Sequence, residues 1–147
     1  RNGGVEAIDL ADTDCSDPGC YATNVLIDDD ASGTAHGRVS DIAVADGGTA
    51  YLVGYHAFGD NALYAFDPGS GAIERTSGGD PKVIGGLEGA NIPDIAVSPA
   101  GRLWVSVAAS SNPGVAIIDP ADHTLVTERV RTTLNPGTIV FASREAE

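Results

Sequence analysis

Residues 93–120 read PDIAVSPAGRLWVSVAASSNPGVAIIDP, and this stretch decides the fold. It holds three short apolar runs, separated by the turn-forming SPAG and by the longer polar segment SSNPG. DIAV at residues 94–97 repeats DIAV at residues 41–44, which lies 53 residues earlier. IDP at residues 118–120 aligns with FDP at residues 66–68, which lies 52 residues earlier. The chain therefore contains an internal repeat of about 50 residues.

Each copy of the repeat predicts four short strands separated by turns. The predicted strands of the two copies are residues 41–45, 50–55, 62–67 and 72–76, and residues 95–98, 103–108, 115–119 and 124–130. Residues 5–10 and 23–27 predict the last two strands of an earlier copy, and residues 138–142 predict the first strand of a later one. NPG at residues 135–137 aligns in this scheme with IPD at residues 92–94.

This pattern predicts an all-β fold made of β-propeller blades, each with four antiparallel strands. Almost no segment has the 3.6-residue apolar period of a helix. An immunoglobulin-like sandwich is the alternative, but it does not require an internal repeat.

The copies resemble the YVTN-type β-propeller repeat family. The matching elements are IAVSPAG, LWV and AIID in the second copy, and IAVADGG, AYLV and YAFD in the first, so that the resemblance covers residues 39–142. It implies a propeller fold. It does not imply one activity, because the family supplies binding and scaffold domains as well as enzyme subunits.

The domain prediction is one partial propeller over residues 1–147. Residues 1–30 form the second half of a blade, residues 39–76 and 92–130 form full blades, and residues 135–142 form the first strand of a further blade. Propellers close with about 4 to 8 blades, so this ring is incomplete. We expect a segment of a longer protein, with closure by a partner chain or by self-assembly as the alternatives.

The charge of the chain limits its partners. A formal net charge of −13, from 21 acidic and 8 basic side chains, argues against nucleic acid as a partner. No apolar run approaches the roughly 20 residues that span a bilayer. We expect the acidic side chains to keep the sheet edges from pairing with other strands, and the alternative role of these side chains is to bind cations.

Cys15 and Cys20 flank a Pro-Gly turn and predict a local disulfide, with free thiols or a metal site as alternatives. A disulfide indicates an extracellular, periplasmic or cell-surface location. No cofactor is predicted. Calcium is the alternative at two aspartate clusters whose spacing departs from a calcium loop, residues 9–17 and 28–30.

The loops on one face of the predicted blades hold the candidate ligand-binding residues, which are His36, Asp41, His56, Asp60, Asn91, Asp94 and Asn112. Asp41 and Asp94 are equivalent in the two copies, and either bind a cation or accept hydrogen bonds from backbone N–H groups. His36 and His56 either act in catalysis or metal binding, or are exposed or packing side chains. Tyr51 and Trp104 align with each other and are predicted to lie in the core between blades.

These observations favour a noncatalytic scaffold that binds a ligand or a protein partner. One alternative is part of a propeller enzyme, such as a quinoprotein-like dehydrogenase, a lyase or a hydrolase that uses His36 and His56. The other alternative is a structural unit that assembles through open blade edges.

Overall fold

The computed structural model describes residues 4–8, 23–28, 35–126 and 129–142. Its described part is all-β, with antiparallel pairing throughout and no helix. The strands are β1 (Gly4–Ile8), β2 (Thr23–Asp28), β3 (Arg38–Ala45), β4 (Thr49–Ala57), β5 (Asp60–Phe66), β6 (Ile95–Val97), β7 (Leu103–Val107), β8 (Gly114–Ile118) and β9 (Val130–Arg131). The predicted all-β class is confirmed.

The strands form three sheets in chain order, which we call the first, second and third sheets. The first contains β1 and β2, the second has the order β3-β4-β5, and the third has the order β6-β7-β8-β9. Within each sheet, every strand pairs with the next one along the chain, and in the second sheet the connections at Asp46–Gly48 and Phe58–Gly59 are tight turns. The result is a series of antiparallel meanders.

The second sheet is buried on both faces, which explains the continuous apolar runs AYLV and ALYAF. Successive side chains of a strand point to opposite faces of its sheet. Tyr51, Val53 and Leu63 lie in one core with residues of the third sheet. Leu52 and Tyr64 lie in a second core that contains the first sheet's apolar side chains. The three sheets are therefore stacked face to face through two apolar layers.

The predicted fourth strands are shorter than expected. Residues 72–76 form only isolated bridges, at Ile73 and Arg75. Two separate segments pair with the outer edge of β5, one through Ile73 and the other through Val83. Between them the chain leaves the edge at a turn that contains two glycines, and it returns after Pro81. In residues 124–130, the described part shows one bridge at Leu125 and then β9.

The prediction of a strand at residues 138–142 is wrong. The segment has no assigned strand, because none of the described strands pairs with it to supply ladder hydrogen bonds. It crosses the third sheet instead. Ser106 Oγ donates to the Gly137 carbonyl at 2.7 Å, and the Phe141 ring meets Trp104 edge to face, with 5.4 Å between centroids.

Candidate functional site

Asp41 and Asp94 form the same contact in successive repeats, and we call this contact the carboxylate clasp. Asp41 Oδ1 accepts the Ile42 N–H at 2.8 Å, and Asp41 Oδ2 accepts the Ile95 N–H at 2.9 Å. Asp94 Oδ2 likewise accepts the Ile139 N–H. In each case a carboxylate at the start of one repeat binds the backbone of the next repeat. The predicted cation-binding candidates are thus engaged by backbone donors.

The clasp corrects the alignment of the repeats by one position. Aligning NPG at residues 135–137 with IPD at residues 92–94 places Thr138 on Ile95. The hydrogen bonds instead make Ile139 the equivalent of Ile95. That alignment is therefore wrong, since it follows a shared proline rather than the backbone contact. Thr138 then takes the place of Asp94, and the series of carboxylates stops there.

The two clasp carboxylates also influence each other. Burial raises the pKa of Asp41 above its ordinary value of 3.8, and the nearby Asp94 raises it further. Hydrogen bonds from Ile95 and Ile42 oppose this change in pKa, because they stabilise the charged form.

His36 is buried beside β2, whereas His56 is exposed near the end of β4. The His56 ring lies next to Gly37, and its Nε2 is 3.3 Å from the Tyr64 hydroxyl. That hydroxyl donates to the Ala35 carbonyl at 3.5 Å. His36 is buried, and it lines a shallow cavity with Asp28, Gly71 and residues near them.

Four loops on the predicted face enclose a groove of about 620 Å³, which we call the loop groove. Its lining includes Phe58, Leu87, Glu88, Asn91, Val107, Ala108, Arg129 and Asn135. Phe58, in the β4–β5 turn, leaves 89% of its surface exposed. A groove with an exposed aromatic ring and mixed polar groups at its rim suits a peptide or a small ligand.

The predicted polar residues divide between this groove and its surroundings. Asn91 lines the groove, and its carbonyl accepts the Ala108 N–H at 2.9 Å. Asn112 lines a neighbouring cavity of about 380 Å³ that shares Leu87 and Arg129 with the groove. Asp60 lies outside both linings, at the start of β5. Burial first, and then Asp60, raises the pKa of Tyr64.

Phe58, Arg129 and Arg131 are groove or cavity residues that the sequence reasoning missed. Phe58 lies in the HAFGDN loop, whose lack of a counterpart in the second copy was the available signal. The two arginines lie two positions apart in a chain with only 8 basic residues. Their position beside Gly85 and Gly86 depends on how the connection between sheets folds, which no local pattern indicates.

The opposite end of the sheets carries a charged cluster. Glu74 Oε2 lies 3.4 Å from Lys82 Nζ and 3.3 Å from His123 Nδ1. The His123 ring meets Tyr51 edge to face, with 5.7 Å between centroids. Burial, followed by the charges of Glu74 and Asp119, raises the pKa of Tyr51 to about 12. This cluster links the second and third sheets at their outer turns.

Other predictions fall partly or wholly outside the described residues. Cys15 and Cys20 lie there, as do the aspartates of residues 9–17 and Asp29 and Asp30. Within the described ranges, no three His, Cys, Asp or Glu side chains are grouped as metal ligands. The same part of the chain includes no helix long and apolar enough to cross a membrane.

Comparison with family models, with curated proteins and with solved structures finds no match for this chain. The candidate site therefore has to be interpreted from its own geometry.

Proposed function

We propose that this chain is a β-propeller segment that serves as a noncatalytic scaffold, with the loop groove as its binding site for a ligand or protein partner. The observation that carries the proposal is the groove itself. It combines the almost fully exposed Phe58 ring with a floor that includes the buried residues Leu87 and Val107, on the face where loops of two repeats meet. Exposed aromatic residues are typical anchors of binding surfaces.

The contacts of the polar candidates support a scaffold over an enzyme. Asp41 and Asp94 bind backbone N–H groups, which is a structural use of a carboxylate. His56 is exposed on β4, bonds to the Tyr64 hydroxyl and is not among the groove-lining residues. A propeller is supported by the stacked meanders and by the recurring clasp.

Selection from a displayed library of short peptides tests the binding function. We expect enriched peptides whose affinity, measured by calorimetry, falls at least tenfold in Phe58→Ser and in Ala108→Arg, which fills the groove. Ala121→Arg, at an exposed outer turn, is the matched control for the added charge and bulk. Selected peptides that bind all three variants equally well, or a selection without enrichment, would contradict the proposal.

A second candidate function, assembly through the outer face of the third sheet, is favoured by a specific observation. The Phe141 ring covers part of this face, at Trp104. Tyr51 faces the third sheet and is fully buried, whereas the equivalent Trp104 is only partly buried on the outer face of the third sheet. Ile117 lies beside Trp104 on that face and is also partly buried. An apolar face of this kind suits a further sheet, supplied by another chain or by the rest of a propeller.

Sedimentation of the chain over a range of concentrations tests assembly between copies. We expect association that Trp104→Glu abolishes and that Val44→Glu, at an exposed position on β3, leaves intact. A monomer at every concentration would remove self-assembly as a function and leave the scaffold proposal standing.

A further inference from the structure

Arg129 is held in a fixed position at the edge of the loop groove. Its Nη1 donates to the Asn112 carbonyl at 3.2 Å, and Asn112 has the left-handed φ of 69° that directs this carbonyl. A Cβ atom placed on Gly114 would lie 2.9 Å from Arg129 Cγ. The glycine therefore leaves the space in which the arginine stem packs.

Arg131 lines the same cavity as Arg129. It pairs with Gly114 across the ladder between β8 and β9, and Gly114 is the glycine next to the Arg129 stem. Both arginines line the cavity that adjoins the loop groove, together with Leu87 and Leu125. Two guanidinium groups thus border an apolar floor.

Neither arginine takes part in an ion pair within the described ranges. There, Lys82 pairs with Glu74, and Arg102 pairs with Asp119. A guanidinium has five N–H donors, and the Asn112 carbonyl occupies one donor of Arg129. A cation with unused donors is notable in a chain with a net charge of −13, because carboxylates are abundant.

We propose that Arg129 and Arg131 bind the carboxylate of an acidic peptide segment, with a neighbouring apolar side chain of that peptide against Leu87 and Leu125. Guanidinium groups recognise carboxylates through paired, charge-assisted hydrogen bonds. The negative charge of the whole chain, with Glu88 at the groove rim, favours a singly charged carboxylate over a doubly charged phosphate. This inference rests on the proposed scaffold function and specifies its ligand.

NMR titration of the isotope-labelled chain tests the inference with two matched probes, acetyl-Leu-Asp-Leu-amide and acetyl-Leu-Asn-Leu-amide. We expect the Asp peptide to shift the amide signals of Leu87, Asn112 and Gly114, and to bind roughly tenfold or more tightly than the Asn peptide. Arg129→Gln and Arg131→Gln should each weaken binding of the Asp peptide roughly tenfold. Arg129→Lys keeps the positive charge and the aliphatic stem but loses the paired donors of the guanidinium group, so it should retain part of the affinity for the Asp peptide.

Arg75→Gln is the matched control, since Arg75 is exposed, bonds to the Gly79 carbonyl at 2.6 Å and lies outside both cavities. Equal binding of the two peptides, an equal loss in Arg75→Gln, or tighter binding of inorganic phosphate would overturn the carboxylate assignment. So would the absence of shifts at these amides. A neutral peptide that binds in a Phe58-dependent way would overturn this inference while leaving the scaffold function intact.

Discussion

Tyr51 carries a polar group into the core between the second and third sheets. Its side chain is fully buried, and its hydroxyl has no hydrogen-bond partner among the described residues. The equivalent Trp104 was aligned with it from sequence, and the burial of Tyr51 agrees with a core position between repeats. The unbonded hydroxyl could not be anticipated, because it depends on which neighbours the packing places around the ring.

Tyr51→Phe should stabilise the chain. An unbonded buried hydroxyl costs free energy on folding, so its removal is expected to raise the free energy of unfolding by about 1 kcal/mol. Urea denaturation followed by fluorescence measures this change. Tyr55→Phe is the control, since Tyr55 is more exposed, and it should change stability by less than about 0.5 kcal/mol. A loss of stability in Tyr51→Phe would show that the hydroxyl is satisfied.

The aspartates should titrate in two separate groups. Burial next to Asp94 raises the pKa of Asp41. Hydrogen bonds from Ser70 and Gly69 lower the pKa of Asp67, and those from Ala121 and Arg102 lower the pKa of Asp119. An NMR pH titration of the carboxyl carbons should therefore place Asp41 above, and Asp67 and Asp119 below, their ordinary value of 3.8.

These two groups have opposite effects on stability. Because folding raises the pKa of Asp41, its contribution to stability is fully present below the pKa that it has in the unfolded chain. That contribution is lost as the pH rises through the pKa that it has in the folded chain. Because folding lowers the pKa values of Asp67 and Asp119, these groups contribute stability above the pKa that they have in the unfolded chain. This stability is lost as the pH falls through the pKa values that they have in the folded chain. In Asp41→Asn, the stability that Asp41 adds at low pH should vanish, while the stability that Asp67 and Asp119 lose at low pH should still be lost. Coincident titration of all three groups would contradict this account.

At the scale of the strand, the sequence specified the central elements better than the edges. The runs around Tyr51 and Leu63 are continuous and apolar because both faces of the second sheet are buried, so their positions were clear. At an edge, a strand forms only where a neighbouring strand supplies its hydrogen-bond partners. Residues 138–142 have the composition of a strand but pair with none of the described strands, and residues 72–76 make one bridge to β5, at Ile73, before they leave the edge. Local patterns specify propensity, whereas pairing requires a second strand in place.

Gly54→Ala should disrupt the contact between β4 and the turn before β3. An added Cβ would overlap the His36 carbonyl oxygen and lie 2.8 Å from Tyr64 Cε2. A backbone carbonyl cannot move aside without shifting its strand, so we expect a loss of roughly 1–3 kcal/mol in the free energy of unfolding. Thermal and urea denaturation measure it. Gly137→Ala is the control, because its Cβ would meet no atom within 4 Å. Equal stability of the two variants would refute the steric argument.

At the scale of the whole molecule, the sheets are joined by apolar layers and by the carboxylate clasp. Apolar contacts are non-directional, so the two layers alone constrain only weakly how far one sheet slides along the next. Directional hydrogen bonds of the clasp hold the third sheet to the second, from Ile95 to Asp41, and the segment after the third sheet to that sheet's start, from Ile139 to Asp94. The repeat in the sequence predicted that the two carboxylates are equivalent. It did not predict their donors, which lie in the following repeat.

Asp41→Ala should loosen the junction between the second and third sheets. The Ile95 and Ile42 N–H groups lose their acceptor, which is expected to cost about 1–3 kcal/mol in the free energy of unfolding. Hydrogen exchange should become faster at the Ile95 amide and remain unchanged in the β4–β5 turn. Asp46→Ala, in an exposed turn, is the matched control. Unchanged exchange at Ile95 would show that packing alone fixes the junction.

The recurrence of the clasp has a consequence for how such a chain can change in length over evolution. Each of the two clasp contacts uses one carboxylate and one isoleucine N–H group, and the two carboxylates lie 53 residues apart, which is one repeat. Deleting residues 42–94 would join Asp41 directly to Ile95 and leave it at the position of Asp94, facing Ile139. Duplicating the same segment would add one more junction of the same kind. Unequal recombination between repeats therefore yields chains whose surviving junctions are already complementary.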